Sequence, residues 1–308
     1  MTREYREVEL RGLEPLTPCL QIAVSARVER PDLAGPGSVS DRWIPLLTSF
    51  NGMLMARGVE QAEGVHRGNL DERRCDLAVG CDSRAVLDAM EPDGDFAKRH
   101  LLNSVVLRML GNLHGRRVLD AGCGQGYFSR MLADRGAEVV GVEPGQSLIA
   151  YAVEREAQRG QGIRYVQADL CGQPDLGGPF DAVVTNMVPM SVPEWKAAMK
   201  QCVAVLAPGG RFVFSIVHPC FEQLAPSWRE HGEYRAQEYL ADYEINGPYA
   251  PDFHRPLSAY LNELIHLGCQ LREVAEPGLD REIATAGQDG ADAYRHFPNF
   301  IIVSADHP

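Results

Sequence analysis

From residue 95 onward, apolar residues recur at helical spacing. Phe96, Leu101, Leu102, Val105, Val106, Met109 and Leu113 fall on one face, and Gly115 follows as a stop signal. The pattern then changes to short apolar runs that alternate with helical segments. Strands are predicted at residues 117–119, 138–142, 163–167, 180–185 and 211–217, with helices at 127–135, 147–159 and 193–206. The turn Ala207-Pro208-Gly209-Gly210 launches the fifth strand. A helix at 257–267 and strands at 270–276 and 299–304 complete the series. Such alternation implies an α/β fold with a parallel sheet, here of seven strands, covered by helices on both faces.

Two regions break the pattern. Residues 1–84 are punctuated by Pro15, Pro18, Pro31 and Pro36 and show no sustained periodicity, so they read as a partly disordered N-terminal extension ahead of a domain at 85–308. Met53 and Met55 are alternative starts within it. The second region, 219–254, reads as a lid insertion. Between Pro219 and Phe253 stand seven aromatic residues (Phe221, Trp228, Tyr234, Tyr239, Tyr243, Tyr249 and Phe253) in 35, against 7% aromatic overall. That enrichment suits a pocket wall. The alternative is a set of rings that anchor a long surface segment to the core.

Composition narrows the function classes. With 45% hydrophobic and 23% charged residues the 308-residue chain is an ordinary globular protein. A net charge of -12 repels a phosphate backbone, so no nucleic-acid partner is expected. The eight cysteines are dispersed, form no C-x-x-C pair and have no histidines at zinc spacing, which points to reduced thiols in the cytoplasm and to no metal. No signal peptide and no apolar stretch of about 18 residues is present, so no membrane association is expected.

The chemistry concentrates at the ends of the first three strands. Asp120-Ala121-Gly122-Cys123-Gly124-Gln125-Gly126 joins a strand to a helix through closely spaced glycines, which bring backbone against a ligand. The third glycine follows the second by two residues, whereas the dinucleotide fingerprint uses three, so NAD is disfavoured. Glu143 ends the second strand, where a carboxylate can accept both hydroxyls of a ribose. Asp169 and Leu170 follow the third, where an acid can accept from an adenine amino group while an amide donates to the ring.

Residues 118–128, Val142-Glu143-Pro144, Ala168-Asp169-Leu170, Phe180-Asp181-Ala182-Val183-Val184 and Leu206-Ala207-Pro208-Gly209-Gly210 together resemble the successive motifs of class I S-adenosylmethionine-dependent methyltransferases, over about residues 95–306. The resemblance implies a Rossmann-like sheet whose last strand runs antiparallel, and S-adenosyl-L-methionine as cofactor. It also implies roles. Gly122, Gly124 and Gly126 would line the methionine part, and Asp120 would organise the loop and the cofactor ammonium. Glu143 would hold the ribose, and Asp169 with the Leu170 amide the adenine. The backbone of Asn186 and Met187 would pass beneath the methionine moiety. Relatives carry a tyrosine-rich cover ahead of the first helix, but here Cys75-Asp76-Leu77-Ala78-Val79-Gly80-Cys81-Asp82 stands in that place.

Methyl transfer from a sulfonium is an in-line displacement that needs alignment and exclusion of water, and a base only for some nucleophiles. His218, at the end of the fifth strand, is the first candidate base, and His218-Pro219-Cys220-Phe221 resembles a segment of a bacterial small-molecule subgroup. His254, Glu222 and Tyr127 are further candidates. Each histidine could instead be structural: His218 could terminate a strand and anchor the lid, and His254 could cap a helix start. The expected activity is methylation of an O, N or C atom of a small-molecule methyl acceptor, flat and apolar if the insertion forms its pocket, by a monomer or homodimer. A non-catalytic sensor or partner subunit that binds the same cofactor is the alternative, and an NAD-dependent dehydrogenase the third.

Overall fold

A computed structural model describes residues 84–236, 238–245, 251–286 and 290–308. All but the last residue of the expected extension, including Met53, Met55 and the segment 75–82, lies outside the described residues.

Nine strands and eight α-helices are described. Helix α1 (Arg84–Ala89) and a π-helical turn (Lys98–Leu102) lead into α2 (Asn103–Leu110). The run expected to reach Gly115 stops earlier: Gly111 takes φ 79° and closes α2, while Gly115 bonds to Gly136 beside the next strand. Then come β1 (Arg117–Ala121), α3 (Tyr127–Ala133), β2 (Glu138–Glu143), α4 (Gln146–Arg159) and β3 (Arg164–Gln167). These are followed by β4 (Phe180–Asn186), α5 (Trp195–Ala204) and β5 (Leu206–Val217).

The insertion holds structure that periodicity did not reveal: α6 (Leu224–His231) and a hairpin of β6 (Tyr243–Ile245) and β7 (Asp252–His254). Helix α7 (Leu257–His266), β8 (Gln270–Ala275), α8 (Arg281–Ala286) and β9 (Phe300–Asp306) close the chain.

The main sheet has the order β3-β2-β1-β4-β5-β9-β8. Strands β1 to β5 are parallel, and β9 runs antiparallel to both β5 and β8. The last strand is therefore the reversed one, as the resemblance implied. Alternate side chains along each strand enter opposite layers of the core. Leu119, Phe212, Phe214, Ile301 and Val303 pack toward Trp195, Met199 and Tyr260, whereas Val118, Val213 and Ile302 pack toward Val106, Met109 and Phe128.

Strand β1 lies between β2 and β4, so the chain leaves it in one direction along the sheet and returns on the other side. Loops from the C-terminal ends of β1 and β4 diverge there and open the crevice that such sheets use for ligands. Among the described residues, no helix is long and apolar enough to cross a membrane.

Candidate active site

The glycine loop is held from several sides. Gly122 and Cys123 donate to the Val142 carbonyl at 2.8 and 2.9 Å, which fastens the loop to β2. A Cβ on Gly126 would lie 2.5 Å from the Tyr165 hydroxyl, and this residue takes φ 84°, so packing and backbone both demand glycine. Gly124 differs. It too has positive φ, at 54°, but a Cβ there would meet nothing within 4 Å, so this is the part of the loop that faces open space. A Cβ on Gly122 would collide with Val188, which makes that glycine a requirement of packing against the β4 loop.

Beneath the loop, Arg130 is almost wholly buried and folds back from α3. Its guanidinium donates to the Gln125 carbonyl at 3.0 Å, to Gln125 Oε1 at 2.6 Å and to Glu91 of the preceding segment. Arg130, Gln125 and Glu91 were not singled out from sequence, although an arginine in the first turns of a helix after a glycine loop was a readable signal.

Glu143 stands where β2 ends. One carboxylate oxygen accepts from the Gly124 amide at 3.1 Å and the other from the Gly145 amide at 2.9 Å. Burial raises the pKa of this carboxyl, and the two amides oppose the rise. Asp169 is exposed just past β3, and its Oδ1 accepts from the Cys171 amide at 2.8 Å. Leu170 is buried in the core and opens a short 3-10 turn. Asp120 is 1% exposed and accepts from the Ser129 hydroxyl at 2.6 Å, and desolvation pushes its pKa up to about 7. Thus the three acids expected at the first three strand ends occupy one edge of the sheet, and two of them bind backbone amides at its loops.

The far side of the crevice is made by β4 and β5. Asn186 Oδ1 accepts from the Ser215 hydroxyl at 2.7 Å, and Met187 adopts φ 65°. Tyr127 is buried, and its hydroxyl accepts from the Asn186 amide and donates to Asn103 Oδ1.

His218 is 3% exposed with both ring nitrogens engaged. Nδ1 accepts from the Cys220 amide at 3.1 Å, which leaves the hydrogen on Nε2, and Nε2 donates to Glu276 at 2.8 Å. Desolvation lowers its pKa. The ring therefore ties the end of β5 to the residue after β8.

His254 is 1% exposed, donates from Nε2 to the Tyr239 carbonyl at 2.8 Å and sets Nδ1 at hydrogen-bond distance, 2.6 Å, from a Glu222 carboxylate oxygen. The Tyr243 ring stacks on it at 4.5 Å with an interplanar angle of 4°. Glu222, whose pKa is raised by burial, also lines a cavity of about 310 Å³ with Tyr234, Tyr243, Arg235 and Glu244. None of that cavity's walls comes from the glycine loop, Glu143 or Asp169. His218 and the Glu222–His254 pair thus belong to separate clusters: the first braces strands, and the second braces the insertion.

The comparisons fall on this same frame. A family model described as a methyltransferase domain matches residues 118–210, the stretch that contains the glycine loop, Glu143, Asp169 and Asn186. Residues 118–210 of this chain match a methyltransferase domain.

The chain is 35% identical over 136 residues to a ubiquinone biosynthesis O-methyltransferase of Idiomarina loihiensis, covering 42% of this chain and 55% of the relative. A protein of the same name from Coxiella burnetii is 33% identical over 138 residues, covering 44% and 59%. The chain spans little more than half the length of these curated relatives. The crystal structure of an S-adenosylmethionine-dependent methyltransferase from Mesorhizobium loti superposes with a TM-score of 0.56 at 29% identity, over 66% of this chain and 96% of that one. The magnesium protoporphyrin IX methyltransferase of Synechocystis, solved with bound S-adenosylmethionine, shares the fold at a TM-score of 0.51 and 18% identity, over 79% and 100%.

S-adenosyl-L-methionine is the cofactor of such methyltransferase domains. The open face at Gly124, the Glu143 carboxylate on its amide and the exposed Asp169 offer small-residue backbone and acceptors along one edge.

Proposed function

We propose that this protein transfers the methyl group of S-adenosylmethionine to an O, N or C atom of a small molecule. The observation that carries the reading is the alignment of Gly124, Glu143 and Asp169 on three adjoining loops, with open space over the only loop glycine that no side chain crowds. Glu143 holds the ribose hydroxyls, and its amide contacts keep the carboxylate aimed in advance. Asp169 and the Leu170 amide take the adenine edge. Asp120, with one hydroxyl partner, sits beside the loop where a cofactor ammonium favours its ionised form.

The cofactor supplies an electrophilic methyl when bound. The chain supplies alignment and a dry crevice: the backbone at Gly122–Gly126 fixes one side, and the Asn186–Met187 turn fixes the other. Removal of a proton from the acceptor falls to whichever of His218 and the Glu222–His254 pair the acceptor reaches. Glu222 borders a cavity, whereas both nitrogens of His218 already bridge backbone and Glu276. A small acceptor is supported by the net charge of -12 and by the names of the matched relatives.

Incubation of the full chain with deuterium-labelled S-adenosylmethionine and a metabolite extract, read by mass spectrometry, tests the reading. A product heavier by one labelled methyl, together with S-adenosylhomocysteine, is expected. Cofactor binding without any transfer would instead favour the sensor alternative.

A further inference from the structure

Four side chains form a directed hydrogen-bond chain beside the crevice. The Ser215 hydroxyl donates to Asn186 Oδ1 at 2.7 Å, and the Asn186 amide group donates to the Tyr127 hydroxyl at 3.1 Å. That hydroxyl donates to Asn103 Oδ1 at 3.3 Å, and the Asn103 amide group donates to the Asp93 carbonyl at 2.6 Å. Each group passes one hydrogen onward, so donors and acceptors match in a single direction. At its head, the Met187 amide donates to both Ser215 Oγ at 2.9 Å and the Ser215 carbonyl at 3.1 Å.

The elements joined are distant in sequence: β5, the end of β4, the start of α3, the start of α2 and the segment before it. Ser215 and Asn103 are buried polar residues on otherwise apolar stretches, which is costly unless their bonds are made. Met187 at the head holds a left-handed backbone that a non-glycine residue keeps only when its surroundings enforce it.

We propose that Ser215 and Asn103 are positioning residues that act through Asn186 and Tyr127: they lock the Asn186–Met187 turn in its left-handed form and tie it to the segment at Asp93. The cofactor then meets a preformed crevice wall, a role that rests on the S-adenosylmethionine reading above. Matched networks of this kind rigidify, and cutting them at two places is not additive.

Two measurements test the proposal. In ligand-free protein, Tyr127→Phe removes only the central hydroxyl and should speed hydrogen exchange at the Met187 amide at least tenfold. Unchanged exchange would overturn the coupling whatever the protein binds. In calorimetric titrations with S-adenosylhomocysteine, Ser215→Ala and Tyr127→Phe should each bind about fivefold to tenfold more weakly. The double variant should bind no more than about twofold more weakly than the poorer single one, and Ser215→Thr should recover most of the affinity. Unchanged affinity, or losses that multiply, would overturn the positioning role. A wild-type protein that does not bind this probe would overturn the cofactor reading instead, and the exchange measurement alone would then judge the chain. Should Ser215→Ala fail to fold, Tyr127→Phe paired with Asn103→Leu repeats the cycle.

Discussion

At the scale of single residues, the crevice is built from acids whose surroundings differ. Glu143 receives two backbone amides, whereas Asp120 is held by the hydroxyl and backbone of Ser129 and is more deeply desolvated. The consequence for stability has a definite sign. Between the ordinary carboxyl value of 3.8 and about 7, folded protein keeps a proton on Asp120 that the unfolded chain has released, so stability falls as pH rises through that window. Asp120→Asn removes this titration. Its denaturation free energy relative to wild type should therefore improve by on the order of 4 kcal/mol between pH 4 and pH 8. A difference that stays flat with pH would show that Asp120 is not held as a buried acid. His218 illustrates the opposite balance, since its neutral ring is already fully bonded and protonation would break the contact from the Cys220 amide.

At the scale of elements, the insertion is fastened to the core by a group of aromatic residues and, at a second place, by a polar contact. Trp228 of α6 packs with Phe297 and His296, and Phe221 and Tyr234 join the same group. Around β7, His254, Glu222 and Tyr243 tie the insertion to itself, and Asp252 accepts from Ser191 of the core. Arg255 donates to the carbonyls of Pro189, Val192 and Pro193, which pins the start of α7 to the loop after β4. Phe221, Trp228 and Tyr234 make contacts of the anchoring kind, and Tyr234 and Tyr243 also border the cavity with Glu222. Tyr249 lies outside the described residues. Trp228→Ala should cost about 3 kcal/mol in thermal or denaturant unfolding, the usual range for a large buried ring. It should also expose residues 224–245 to limited proteolysis before the rest of the domain. Uniform loss of resistance along the chain would contradict a separately anchored insertion.

At the scale of the whole molecule, what was legible in the sequence was local. The strand–loop–helix around Gly122, Gly124 and Gly126 could be read because its constraint is backbone geometry over seven residues, and Glu143 and Asp169 because each sits at a predicted strand end. The seven strands followed from alternation, since both faces of the sheet are covered and the runs are short and apolar. What stayed hidden was non-local. Glu276, the partner of His218, lies 58 residues away in sequence, and Glu91 and Arg130 are 39 apart. Asn103 could not be told from the core-facing positions around it, and β6 and β7 are three residues each, too short for periodicity to register. The assignment of function inherits the same division: cofactor chemistry is written in contiguous motifs, whereas the acceptor depends on side chains that only the fold brings together.

Calorimetric titration of the purified full chain with S-adenosylmethionine, and separately with NAD, tests the central claim most directly, with Glu143→Ala run beside wild type. The account predicts one S-adenosylmethionine bound per chain, and weakening by on the order of 1 to 3 kcal/mol in the variant through loss of charge-assisted hydrogen bonds. Tight binding of NAD with no binding of S-adenosylmethionine would contradict it.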